Sequence, residues 1–85
     1  MRIYKYKLKV MEFQTIPLSY EHRILDVQVQ NGVICIWAAV KPDYATSDFP
    51  IHIVGTGQEI PGGNLTYCGT VQLDGFVWHI FKGNI

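Results

Sequence analysis

Three histidines, two cysteines and seven carboxylates are the reactive side chains of this 85-residue sequence. His22, His52 and His79 fall at no metal-ligand spacing such as HxH or HxxxH, and Cys35 and Cys68 form no CxxC pair. Catalysis needs a nucleophile or general base oriented by a partner, or a metal. The spacing in this chain announces neither. His52 could reach Asp48 or Glu59 across a sheet, while His79, between Trp78 and Ile80, reads as a histidine satisfied by a backbone carbonyl. The expectation is a protein that is not an enzyme and carries no cofactor and no metal.

Binding chemistry has more support. The segment Gly55-Thr56-Gly57-Gln58-Glu59-Ile60-Pro61-Gly62-Gly63-Asn64 is the longest glycine-rich stretch. It is neither a Walker motif nor a dinucleotide fingerprint, since no lysine and no helix follow. Consecutive backbone N–H groups in such a loop can still form an anion-binding nest. Lys5, Lys7 and Lys9 form a cationic row that could meet the same anion. Tyr20 and Tyr44 lie in connections rather than on apolar strand phases, where they could stack on a base or fill a partner's pocket. The candidate ligand-binding residues are therefore Lys5, Lys7, Tyr20, Tyr44, Gly55, Thr56, Gly57, Gln58 and Glu59.

The element that must position them is Arg23–Pro42, a β-hairpin around Asn31-Gly32. Leu25, Val27 and Val29 alternate with Asp26, Gln28 and Gln30, and Val33–Val40 is apolar on both faces, as a covered central strand would be. Asn-Gly suits a two-residue type I′ turn because both central residues need φ > 0. Ahead of it, Ile3–Val10 alternates Tyr4, Tyr6, Leu8 and Val10 with the three lysines, the pattern of a half-buried edge strand guarded against aggregation. Phe13–Leu18 is a short strand that should lie at an edge or end at Pro17, which cannot donate to a sheet ladder. After an irregular loop at Tyr44–Asp48 come a strand at Phe49–Val54, another at Leu65–Leu73 with Tyr67, Val71 and Leu73 in phase, a tight turn at Asp74-Gly75 and a largely buried strand at Phe76–Phe81.

Six to seven short strands with no helical period predict a single all-β domain over residues 1–85, either a small antiparallel barrel or a two-sheet sandwich. The chain is 48% hydrophobic and 13% aromatic. So small a domain cannot hide all of that in one core, which predicts a homo-oligomer or a partner surface. Formal net charge is zero, so no global field attracts nucleic acid, although four of the seven basic residues fall in the first nine positions. The opening MRIYKYKLKV lacks the features of a signal peptide, and no apolar run is long enough for a membrane helix. Two cysteines in strand-like sequence read as reduced thiols, and the expectation is a cytoplasmic protein that does not meet membranes.

Ile24–Gly32 with Trp37-Ala38 and Val40, Gly55-Thr56-Gly57 with Ile60-Pro61, and Tyr67 with Gly69–Leu73, Gly75 and Val77–Phe81 together resemble a family of small phage and prophage proteins. That family is defined as a domain of unknown function of about this length, and the likeness runs over nearly the whole chain. The resemblance implies a protein made by a phage in the host cytoplasm. It would antagonise a host anti-phage defence process without being an enzyme, by sequestering a nucleotide-derived signal molecule. The alternatives are an inhibitor or adaptor of a host protein, and a virion accessory protein. The family commonly has a histidine after the glycine-threonine-glycine triplet, where this chain has Gln58. An activity dependent on that histidine would be missing here, whereas a hydrogen-bonding duty could pass to the amide.

Overall fold

In the computed structural model, which describes residues 1–84, the chain is built from seven strands. They are β1 (Arg2–Leu8), β2 (Phe13–Ser19), β3 (His22–Gln30), β4 (Val33–Val40), β5 (Thr46–Gly55), β6 (Leu65–Leu73) and β7 (Phe76–Gly83). Every pairing is antiparallel, and the strands form two sheets, β1-β4-β3 and β2-β5-β7-β6. Of the two forms the sequence allows, this is the sandwich; the strands do not close into a barrel.

Turn chemistry sets the register. Asn31 and Gly32 have φ of 52° and 76°, and Asp74 and Gly75 have 53° and 80°. These positive values are what a type I′ hairpin needs, and asparagine, aspartate and glycine accept them at least cost. Both hairpins then alternate. Ile34, Ile36, Ala38 and Val40 of β4 point inward, as do Ile16 and Leu18 of β2, Phe49, Ile51 and Ile53 of β5, and Ile80 of β7, all buried. The inward faces of the two sheets make one core.

Several expectations shift. Leu25 does not continue the inward row, because a bulge between Ile24 and Asp26 turns it out, 45% exposed, and Ile24 packs against the core instead. A second bulge between Tyr67 and Gly69 takes Tyr67 out of phase with Val71 and Leu73. The two bulges lie on β3 and β6, the strands that meet where the sheets approach most closely. Here a Cβ on Gly69 would stand 3.2 Å from the Val27 side chain, and bulges bend strands where such a corner is needed. Thr46–Asp48 belongs to β5 rather than to a loop, because those residues pair with Pro17–Ser19. Phe76, at the start of β7, is exposed.

Pro17 does lie on an edge strand, β2, and the lysine row does lie on an edge strand, β1. The outward face of β4 is covered by side chains rather than by a further layer. Cys35, between Lys7 and Gln28 in register, is only 1% exposed, and Lys5 Nζ donates to Gln30 Oε1 at 2.8 Å across the strand. A lysine's aliphatic stem covers apolar surface while its ammonium stays in water. Cys35 and Cys68 are both free thiols.

A candidate ligand groove on the four-stranded sheet

Strand registers place four aromatic rings in one row across the outer face of the larger sheet. Phe13 of β2 pairs with His52 of β5, His52 with Phe81 of β7, and Phe81 with Tyr67 of β6. Phe13 meets His52 edge-on with centroids 5.4 Å apart, and Tyr67 meets Phe81 at 5.6 Å. Phe13 and Tyr67 at the ends are 52% and 58% exposed. Such cross-strand pairs stabilise a sheet by some tenths of a kcal/mol each, but a row this exposed also offers a flat apolar floor.

One register step along, a chain of hydrogen bonds runs beside the row. The Tyr67 hydroxyl lies 2.5 Å from Thr70 Oγ1, Thr70 Oγ1 lies 3.0 Å from His79 Nδ1, and His79 Nε2 lies 2.8 Å from Thr56 Oγ1. Each hydroxyl both donates and accepts, so the chain can run in either direction. When the Tyr67 hydroxyl leads, Nε2–H donates to Thr56 and the Thr56 hydrogen points outward. When Thr56 donates to Nε2, the Tyr67 hydrogen is the free one. His79 is thus satisfied by two threonine hydroxyls rather than by the expected backbone carbonyl.

The glycine loop forms the wall. Gln58 N–H donates to Gly55 O at 3.0 Å, closing a turn in which Gly57 has φ of +92°. Gln58 Oε1 in turn accepts from Gly55 N–H at 2.7 Å. The residue after the triplet therefore accepts a hydrogen bond that locks the turn, a duty an imidazole nitrogen could also perform. Beyond the turn the chain folds back over the outer face. Thr56, Gly57, Ile60, Val54, His79 and Phe81 line an open depression of about 250 Å³, and Glu12, Phe13, His52, Gln58, Glu59 and Pro61 line an adjoining 460 Å³ groove. The larger of the two is of the size that takes a small ligand, and the smaller adjoins it.

Of the candidate residues, Gly55, Thr56, Gly57, Gln58 and Glu59 come together at this groove. The others do not join them. Lys5 and Lys7 pair with Trp37 and Cys35 and point out from the smaller sheet, on the opposite face of the sandwich. Tyr20 and Tyr44 flank the far end of β5, where Tyr20 packs on Phe49 at 6.0 Å and Tyr44 lies beneath Lys41 Nζ at 4.9 Å. The anion nest also loses support, because the N–H groups of Gly55 and Gln58 are already bonded inside the loop. His52 and Glu59 border the same groove, and His52 makes its ring contact with Phe13.

The aromatic row and the Thr56–His79–Thr70–Tyr67 chain were not foreseen. Gly69 following Cys68 inside a strand pattern was the available signal, since glycine there often marks a bulge, and that bulge is what brings Tyr67 to the outer face.

A second polar cluster is interior. Lys82 lies on the inward phase of β7, 7% exposed, with Nζ 2.7 Å from His22 Nε2. Lysine has only hydrogens to give, so Nε2 accepts and Nδ1 carries the proton, which it donates to Ser19 O at 2.7 Å. Ser19 Oγ donates to Glu21 O at 2.6 Å and accepts from Lys41 N–H at 3.1 Å. Burial holds the Lys82 amine below its ordinary pKa, with the nearby Cys68 thiol opposing that, and burial pushes the Cys68 thiol up. The Phe49 ring packs on both His22, at 4.7 Å, and Lys82 Nζ, at 5.2 Å. The cluster ties β7 to the β2–β3 turn.

These features define an all-β sandwich whose larger sheet presents an aromatic, loop-walled outer face. Among the described residues no group of histidines, cysteines and carboxylates is placed to hold a metal ion, and no helix is long and apolar enough to cross a membrane. The chain belongs to the family described as Domain of unknown function (DUF7352), whose model matches residues 1–84. No curated protein and no solved structure matches it.

Proposed function

We propose that this protein is a non-enzymatic binding protein, encoded by a phage, that antagonises a host defence process by sequestering a nucleotide-derived signal molecule in the groove on its four-stranded sheet. The observation that carries the reading is the combination of a flat aromatic floor with a hydrogen-bonding edge. Phe81 and His79 line the same open groove as Thr56 and Ile60. A nucleobase needs both elements, a ring to stack on and groups that donate or accept at its rim. Because the His79 chain can reverse, Thr56 can serve a donor or an acceptor on the base. The phage context comes from the resemblance set out above.

The base, not the phosphate, is the part a single protomer is built to take. Glu12 and Glu59 line the larger groove, and no lysine or arginine does. Thermal unfolding against a panel of linear, cyclic and ADP-ribose-derived nucleotides tests the proposal. A ligand at 100-fold its dissociation constant adds about 2.7 kcal/mol, a rise of roughly ten degrees or more in so small a domain. Phe13→Ala and Thr56→Val, both at exposed positions, are expected to reduce that shift with little change in the ligand-free midpoint. A flat panel overturns the nucleotide reading. The aromatic row supports a second reading, an inhibitor of a host protein, and stoichiometric capture lost with Phe13→Ala would favour it.

A further inference from the structure

The chain's zero net charge conceals an uneven distribution. The outward phases of β1, β4 and β3 carry Lys5, Lys7 and Arg23 against one carboxylate, Asp26. The outward phases of β2, β5, β7 and β6 carry Asp48 and no lysine or arginine, and Glu12 and Glu59 stand at the groove rim. Lys82, the one basic residue of β7, points inward. Among the described residues Glu12, Glu59, Asp48, Lys5, Lys7 and Arg23 form no ion pair; Lys41 with Glu21 is the pair that does form. One broad face is basic and the other acidic.

Both faces also expose apolar groups. Ile3 is 65% exposed beside the lysines, with Trp37 half-buried next to it, and Phe13, Tyr67 and Ile60 are exposed on the other side. The molecule is a slab of 38 × 31 × 16 Å. Two stacked sheets lie about 10 Å apart, so the short axis is the stacking direction and the broad faces measure about 38 × 31 Å. Each is large enough for the roughly 800 Å² per partner of a stable interface.

We propose that copies of this chain associate head to tail, with the basic outer face of one protomer's three-stranded sheet docked on the acidic, aromatic outer face of the next protomer's four-stranded sheet. Either face against its own twin would set like charges together, which disfavours a symmetric dimer through these faces and leaves the heterologous contact. The contact brings Lys5 and Lys7 of one protomer to the groove of its neighbour. The groove lacks a cation of its own, so a phosphate beside a bound base would find one only across the interface. The inference rests on the distribution of charge and apolar surface and not on the ligand reading, although it would complete that site.

Sedimentation equilibrium of the whole chain tests it, at increasing protein concentration in about 0.05 M and about 0.5 M salt, because surface charges are largely screened at the higher value. Mass above one protomer at low salt, falling with added salt, is expected. Lys5→Glu with Lys7→Glu makes both faces acidic, and Glu12→Lys with Glu59→Lys makes both basic. Each double variant alone is expected to be monomeric, and an equimolar mixture to associate again. All four positions are on the surface, so an unchanged circular dichroism spectrum establishes folding. A wild-type protein that stays monomeric at low salt overturns the proposal, as does association that survives either double variant. Failure here with a positive nucleotide shift would remove the stacking and keep the ligand; the reverse would keep the stacking alone.

Discussion

Lys82 offers the sharpest test of the interior. It is only 7% exposed, has no carboxylate partner among the described residues, and its amine relies on the bare Nε2 of His22. Burial lowers its pKa from the ordinary 10.5. Between the lowered value and 10.5 the unfolded chain holds more protons on this residue than the folded one. Stability conferred by this residue therefore rises with pH through that window, by at most about 1.4 kcal/mol per pH unit for one proton. Below the window both states are protonated and the full cost of the buried ammonium is present. Lys82→Met removes that cost, and exchanging buried ion pairs for apolar residues of like volume, the nearest comparison, is neutral or gains about 1–4 kcal/mol. It also leaves His22 Nε2 without its donor, a loss of about 1 kcal/mol or more. The net expectation at neutral pH is a variant about 1 kcal/mol more stable than the wild type, or 4–8 °C higher in melting temperature, as is usual for about that change in a small domain. Moving to alkaline pH, the wild type regains ground and the gap closes. The Cys68 thiol, itself held above its ordinary value, would return a negative neighbour to Lys82 on titration, so the comparison belongs in a Cys68→Ala background. Urea unfolding at steps from neutral pH upward reads the gap directly. A gap independent of pH, or one that widens in favour of methionine as pH rises, refutes the reasoning.

The other predictions concern backbone and loop. Gly83→Ala would put a Cβ 2.9 Å from Pro50 Cγ, and a pyrrolidine ring cannot swing aside. A loss of about 1–3 kcal/mol is expected, recovered in part when Pro50→Ala is added, because the Cβ of residue 50 stays 3.1 Å away, and more fully with Pro50→Gly, as thermal melts of the variants would show. Gly32→Ala meets open space but must hold φ at +76°, so its cost should be confined to about 1–2 kcal/mol of backbone strain and leave spectra of the core unchanged. Thr56→Val removes one end of the His79 chain; nitrogen NMR of the imidazole should then show one tautomer favoured, and amide exchange in residues 55–58 should quicken.

The sandwich was legible where local chemistry and period agree. Asn31-Gly32 and Asp74-Gly75 each demand positive φ at two residues, and each stands between alternating runs, so two hairpins followed almost without choice. Pro17 and the lysine row correctly marked edges, since a residue without an N–H and a row of solvated ammoniums both belong where no neighbouring strand pairs. The period failed at Leu25 and Tyr67 because a bulge adds one residue to one strand, so the side chains on its two sides no longer share one alternation. Nothing local in ILDVQ reveals that shift; it is set by the corner that β3 makes against β6. The site was half legible for the same reason. The glycine loop was found from composition, but its partners could not be. Whether Lys5 or His79 faces that loop depends on which sheet β1 joins and which way β7 alternates within it.

Net charge says nothing of how charge is distributed between faces, and the cause is geometric. A sum over the chain treats Lys5 and Glu59 as cancelling, yet the fold sends them to opposite sides of the slab. Two charges on opposite faces are separated by more than the Debye length of about 8 Å at physiological salt, so each face acts on its surroundings almost independently. A partner approaching the lysines meets a basic surface, and one approaching the groove meets an acidic and aromatic one. The same alternation that buries Leu8 and Ile36 fixes this separation, because a strand that turns its apolar residues inward turns every charge outward, and the two sheets have opposite outward directions. The two faces therefore have to be treated as two distinct surfaces. A search for what binds it must vary salt and test each face with its own variants, since a change on one face leaves the contact made by the other largely untouched.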